Sequence, residues 1–169
     1  MVLTRVRNVH ARTVDVSASV LHDWVSTLGT RDDVLWPVDQ WFPMRLDRPV
    51  AVGGRGGHGP VRYRCIEHAL QRTEFAFESV LGSPHWDGTH TFWIDDRGGS
   101  SQLRHELIVT LPMRERLAWT VLVGPLHDAV LEDLLHRAQR RSGISTKAPR
   151  WSLWVRLLRR LFPGVRSRR

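Results

Sequence analysis

Apolar and polar positions alternate with period two in four consecutive blocks, residues 61–68, 73–81, 88–95 and 102–111. Such alternation marks half-buried strands, and the short polar gaps between blocks predict antiparallel hairpins. The clearest hairpin signal is Asp95-Asp96-Arg97-Gly98-Gly99-Ser100. Residues 6–16 alternate well enough for a first strand, and residues 50–52 read as a short one. On either side of these strands the period changes. Val20, Leu21, Trp24 and Leu28 share a helical face, with Ser17 as N-cap and Gly29 as the stop. Thr30 with Asp33 three residues later resembles a capping box for a short second helix ending at Trp36-Pro37.

After Pro112 a helical pattern runs to Arg141. Leu122, Leu126, Val130, Leu134 and Ala138 recur every four residues, and Leu131 and Leu135 widen the stripe. Pro125 brings no N–H to the turn before it, so Gly124-Pro125 should bend or break this helix. Residues 142–149 read as a linker, and residues 151–162, WSLWVRLLRRLF, as a last helix. The expected organisation is one domain over 1–142, with a linker and tail over 143–169.

Charge separates the same two parts. Of the net +8, positions 134–169 supply 11 Lys or Arg and no acid, leaving 14 basic and 17 acidic residues in 1–133. The basicity belongs to an appendage, which argues against a nucleic-acid-binding body. One cysteine, Cys65, excludes an internal disulfide framework and any multi-cysteine metal site, and reads as a core residue. The nine histidines include no His-Glu-x-x-His, so no metal is expected. The N-terminus shows no apolar signal region, and no apolar run approaches the roughly 20 residues of a membrane span. A cytoplasmic protein, peripheral to the membrane at most, is the expectation.

Gly54-Arg55-Gly56-Gly57-His58-Gly59 satisfies the dinucleotide pattern G-x-G-x-x-G. That turn needs a helix after the glycines, whose free N–H groups meet the pyrophosphate. Here Pro60 follows, and then a stretch that alternates like a strand. No Lys-Ser or Lys-Thr follows either, which excludes a phosphate-binding loop of the other common type. No cofactor is expected, and the glycines read as a flexible connection into the sheet.

Strand, two short helices, a run of antiparallel strands and one long helix is a distinctive order. It resembles the helix-grip fold of the START-like or Bet v 1-like superfamily (SRPBCC proteins, including polyketide cyclase/dehydrase-like members). Gly57-His58-Gly59-Pro60-Val61-Arg62-Tyr63 is similar to that family's entry into its third strand. Gly88-Thr89-His90-Thr91-Phe92 and Gly98-Gly99-Ser100-Ser101-Gln102-Leu103-Arg104-His105 are similar to its central hairpin, and Pro125-Leu126-His127-Asp128 to its kinked final helix. The resemblance spans about residues 6–141 and implies an α+β fold: a curved antiparallel sheet wrapped around a long C-terminal helix, with the basic amphipathic tail helix added. It also implies an internal cavity, with lipids, polyketides, hormones or aromatic compounds as the ligand classes and catalysis in some members only.

Pairing Asp95 with Ser100 sets Phe92 against Leu103 and His90 against His105 on the concave face. In the preceding hairpin, pairing Cys65 with Phe77 puts Tyr63, Cys65, Phe75 and Phe77 inside and Arg64 opposite Glu78 outside. The candidate ligand-binding residues are therefore Tyr63, Phe75, Phe77, His90, Phe92, Leu103 and His105. They suit a mostly apolar molecule bearing one or two oxygens. His90 and His105 are a structural pair, ligand-orienting groups, or the acid–base residues of a cyclase or dehydratase. Trp36 and Trp41 flank a loop that could gate the mouth.

In the tail, the apolar residues of 151–162 fill an arc of about 200°, and Arg156, Arg159 and Arg160 fall in the remainder. An acid-free helix of this kind either lies in an anionic membrane surface, through Trp151, Trp154, Arg156, Leu158, Arg159 and Arg160, or docks on the domain or a partner. Three functions follow: a binder of a hydrophobic small molecule, a cyclase-type enzyme, or a membrane-peripheral scaffold without ligand.

Overall fold

The computed structural model describes residues 2–161. Seven strands, β1 (Leu3–Val14), β2 (Arg45–Leu46), β3 (Arg55–His58), β4 (Val61–Ala69), β5 (Arg72–Val80), β6 (Asp87–Asp96) and β7 (Ser101–Pro112), form one curved antiparallel sheet. Its order is β1-β7-β6-β5-β4-β3-β2, so the N-terminal strand returns to lie beside the last. Helix α1 (Ala18–Ser26) follows β1 and packs on β6 and β7. The chain ends its main body in α2 (Met113–Ala118), a π turn (Trp119–Val123) and α3 (Gly124–Arg141), and then adds α4 (Leu153–Leu161). This is the helix-grip arrangement: Val130, Leu134, Leu135 and Ala138 of α3 are buried in one core with Val14, Leu21, Phe92 and Leu103.

The four central strands lie within a residue of their expected bounds because alternation is a local signal. Ser17 caps α1 as expected, its hydroxyl accepting the Val20 N–H. Three local expectations fail. Residues 50–52 form no strand. The second helix is replaced by turns, because the Asp33 carboxylate accepts the N–H groups of Gly29, Leu35 and Trp36 and closes the chain on itself. The glycines form a strand: β3 lies so close to its neighbours that a Cβ on Gly57 would sit 1.9 Å from the Val61 carbonyl oxygen, and one on Gly56 2.0 Å from that of Arg45. They are there for close approach of backbones.

Both hairpin registers differ from expectation. His90 faces Leu107, Phe92 faces His105 and Ile94 faces Leu103, a slip of two residues that leaves every side chain on its expected face. Between β4 and β5, bulges set Cys65 against Phe75, Tyr63 against Phe77 and Arg64 against Ala76, while Glu78 pairs with Arg55 instead at 3.1 Å.

The expected break at Gly124-Pro125 takes the form of the π turn just before it. Pro125 has no N–H for the Val121 carbonyl four residues back, and Trp154 of α4 supplies one: its Nε1 donates to Val121 O at 2.7 Å. The tail is thereby tied to the body. Trp151 Nε1 donates to Asp133 Oδ2 at 2.9 Å, Val155 and Leu158 are buried, and Arg159 donates to the Gln40 carbonyl with its guanidinium 3.6 Å from the Trp151 ring centroid. Of the six residues expected at a membrane, Leu158 and Arg159 are buried against the domain and Trp151 is held by Asp133. Trp154, Arg156 and Arg160 remain exposed. Phe162 lies outside the described residues, as do the basic residues Arg166, Arg168 and Arg169.

Candidate ligand-binding site

Between the sheet and the last helices lies a cavity of about 680 Å³. Four indoles wall it, Trp36, Trp41, Trp86 and Trp119, and Leu107, Leu126, Val130 and Leu131 complete most of the apolar surface. Phe42, Leu81, Leu122 and Val123, all at least partly exposed, also border it and form its rim. Trp36 and Trp41 are fixed wall: Trp36 Nε1 donates to Phe42 O at 2.7 Å, and Trp41 Nε1 to Asp133 Oδ2 at 2.8 Å.

Four imidazoles, His58, His90, His105 and His127, interrupt this apolar lining. His105 Nε2 and His90 Nδ1 are 3.4 Å apart. The two-residue slip makes the pair diagonal across β6 and β7, and the rings still meet with centroids 5.5 Å apart. The outer nitrogens, His90 Nε2 and His105 Nδ1, are buried without a hydrogen-bond partner, and so are His127 Nδ1 and Trp86 Nε1. Burial, and then the neighbouring imidazoles, push His90 and His105 well below the usual histidine range. Burial likewise takes His58 down to about 3 and lowers His127. All four imidazoles are thus neutral at pH values near 7.

A neutral pair has one proton per ring. If His90 Nδ1–H donates to His105 Nε2, the free ends are an acceptor on His90 and an N–H on His105. If the inner hydrogen bond runs the other way, the free ends exchange roles. In either state the pair keeps one unpartnered donor and one unpartnered acceptor.

Of the residues expected to bind ligand, Phe77, His90, Phe92 and His105 line the cavity. Tyr63, Phe75 and Leu103 are fully buried and do not. Tyr63 and Phe75 pack on the His90 ring, at 4.7 and 5.1 Å between centroids, and support it from outside the hollow. The Tyr63 hydroxyl meets His58 Nδ1 at 3.4 Å, and burial raises its pKa. Leu103 faces Ile94 near the hairpin end, where α1 covers the sheet.

Two cavity histidines escaped the sequence assignment. His127 stands four residues before Leu131 and seven before Leu134, on the apolar stripe of α3, and that periodicity could have found it. His58 lies among glycines, where no periodicity exists to place it.

Beside the cavity, β1 and α3 are joined by charge. His10 donates to Asp128 Oδ1 at 3.1 Å and to Glu132 Oε1 at 2.8 Å; Asn8 Nδ2 donates to the same Asp128 oxygen, and Arg12 pairs with Glu132. The hydrogen bond to Asp128 is the main reason that the His10 pKa is raised. Burial alone would raise Asp128, but its hydrogen bonds to His10 and Asn8 hold it below the usual carboxylate range. His10, His127 and Asp128 hold ligand atoms within 4.8 Å of one another and are the residues that could take a metal ion. A protonated His10 serves there as a clasp.

No family model matches the chain, and no curated protein matches it by sequence. Solved structures do match by shape. Norcoclaurine synthase from Thalictrum flavum is 12% identical with a TM-score of 0.63, covering 84% of this chain and 96% of that one. A protein from Thermobifida fusca is 14% identical with a TM-score of 0.62, covering 81% and 93%. CalU16 from Micromonospora echinospora is 14% identical with a TM-score of 0.54, covering 84% and 91%. The likeness is one of fold: a curved antiparallel sheet closed around a long C-terminal helix.

Proposed function

We propose that this protein binds a hydrophobic small molecule bearing a carbonyl or hydroxyl group in the cavity between sheet and helix. The observation that carries this is the set of unpartnered ring nitrogens, His90 Nε2 and His105 Nδ1, on residues lining a mostly apolar hollow. A buried polar group without a partner costs about 1–3 kcal/mol, which a ligand oxygen recovers. A cavity of about 680 Å³ is in the range of small-molecule sites. Its openness to occupation counts against a ligand-free scaffold. A norcoclaurine synthase of the same fold is in complex with dopamine and hydroxybenzaldehyde, both oxygen-bearing aromatics.

The test compares 2-naphthol with naphthalene, which differ by one hydroxyl. Wild-type protein should prefer 2-naphthol by about tenfold, the worth of one hydrogen bond in a dry site. His90→Leu and His105→Leu should erase the preference while naphthalene still binds. If naphthalene binds wild type as tightly as 2-naphthol, the proposal fails.

A second reading, an acid–base enzyme of the cyclase or dehydratase class, is favoured by the proton arrangement of the pair. With an acceptor at His90 Nε2 and an N–H at His105 Nδ1, the pair could take an α-proton from a ketone and give one to its carbonyl oxygen. One proton then crosses between the rings, and the pair ends neutral in its other state. Wild-type protein should accelerate exchange of the α-protons of 2-tetralone in heavy water, measured by NMR, and His105→Leu should abolish the acceleration.

A further inference from the structure

We infer that the outer surface of α2, the π turn and α4 docks on an anionic lipid bilayer. Periodicity alone predicts one broad apolar arc for α4, and the structure divides the helix into three sectors. At about 100° per residue, Val155, Leu158 and Arg159 occupy the sector turned into the domain. Leu153, Trp154, Leu157 and Leu161 occupy a second, which faces outward: Leu153 is 81% exposed and Leu161 62%. Arg156 and Arg160 fill the third and are exposed. Docking therefore uses only part of the apolar surface. A helix serving the domain alone would need no leucines on its far side.

The exposed sector continues onto the body. Met113, Leu117 and Val121 recur every four residues along α2 and the π turn, and all three are exposed, Leu117 at 68%. The hydrogen bond from Trp154 to Val121 O joins this stripe to α4. The result is a composite apolar surface from two elements far apart in sequence. Large exposed apolar surface of this kind marks an interaction site.

The charge beside it selects the occupant. Arg156 and Arg160 flank the apolar sector of α4, Arg114 lies next to Met113, and positions 134–169 contain no acidic residue. An apolar strip bordered by arginines matches the acyl and phosphate layers of an anionic bilayer. No helix among the described residues is long and apolar enough to cross a membrane, so contact would be in-plane. Leu122 and Val123, adjoining Val121, border the cavity. The surface therefore lies beside the hollow, and a hydrophobic ligand taken up there would rest on the binding function proposed above.

Flotation of the full chain on vesicles of phosphatidylcholine alone, and of phosphatidylcholine with phosphatidylglycerol, tests the docking whether or not any ligand enters the cavity. Binding should favour the anionic vesicles by about tenfold and weaken as salt is raised. Leu117→Glu and Leu157→Glu should each reduce it by about tenfold with unchanged thermal unfolding, because both side chains are exposed. Arg156→Glu with Arg160→Glu should remove the preference for anionic lipid. Equal binding by wild type and these variants, or no anionic preference, overturns the proposal. So does a stable dimer in solution that Leu157→Glu dissociates, since a second copy would then be the occupant. The naphthol comparison stands or falls separately.

Discussion

Lowering the pH from about 7 to about 5.5 should destabilise the folded protein, by about 1 kcal/mol through His58 alone and by more through the other cavity imidazoles. The cause is the group of imidazoles at the cavity, His58, His90, His105 and His127, whose folded-state pKa values all lie below the ordinary 6.5. Below that pH the unfolded chain binds protons that the folded chain refuses. Each histidine's contribution is full above pH 6.5 and is lost as the pH falls toward its folded value, which for His58 is about 3. The slope approaches 1.4 kcal/mol per pH unit for each such group. His10 acts in the opposite sense. Its pKa is raised, so its contribution is present below 6.5 and fades as the pH rises through its folded value, offsetting part of the loss on acidification.

Urea unfolding at a series of pH values reads this directly. A flat profile down to pH 5 would show that the cavity imidazoles are hydrated and titrate normally. His90→Leu combined with His105→Leu should reduce the acid slope, because two of the contributing groups are gone. The same measurement bears on function. A neutral ligand that occupies the hollow should stabilise the folded protein at neutral pH.

The sheet and its concave residues were legible because alternation fixes a face before any register is known. The pairing expected from the turn differs from the observed one by two residues, and an even slip preserves the face, so His90 and His105 still point inward. The slip itself was not legible. It depends on where the turn closes, and the ladder extends to Asp96 and Ser101, with Arg97 N–H donating to the Ser100 carbonyl. Tyr63, Phe75 and Leu103 share the inner face with the cavity residues yet do not line the cavity. Facing inward does not distinguish core from cavity; that depends on where α1 and α3 cover the sheet. Strand β3 was invisible because its glycines have no side chains to alternate. The tail's periodicity gave a helix but not its orientation. Arg159 shows why: its charge suggests solvent, whereas the indoles of Trp41 and Trp151 and a carbonyl receive it in the interior.

Replacing Asp133 by alanine should destabilise the protein by about 3 kcal/mol and free α4 from the domain before the rest unfolds. Asp133 is buried, and one of its oxygens, Oδ2, accepts from the indoles of both Trp41 and Trp151. Burial raises its pKa, while the two N–H groups and Arg159 oppose that shift. Alanine leaves two indole N–H groups without an acceptor and Arg159 without the carboxylate. Asparagine keeps an acceptor oxygen and removes only the charge, so Asp133→Asn should cost about 1 kcal/mol. If the two variants lose equal stability, the double acceptor contributes nothing. Trypsin separates local from global opening, because Arg156 and Arg160 lie in α4 and Arg150 just before it. In Asp133→Ala, cleavage there should outpace cleavage in the sheet; in wild type the two should keep step. The consequence reaches the cavity, because Trp41 is one of its walls. With Asp133 gone, Trp41 loses its anchor and the hollow its fixed shape. Affinity for 2-naphthol should then fall by about tenfold even though no residue that meets its hydroxyl has changed.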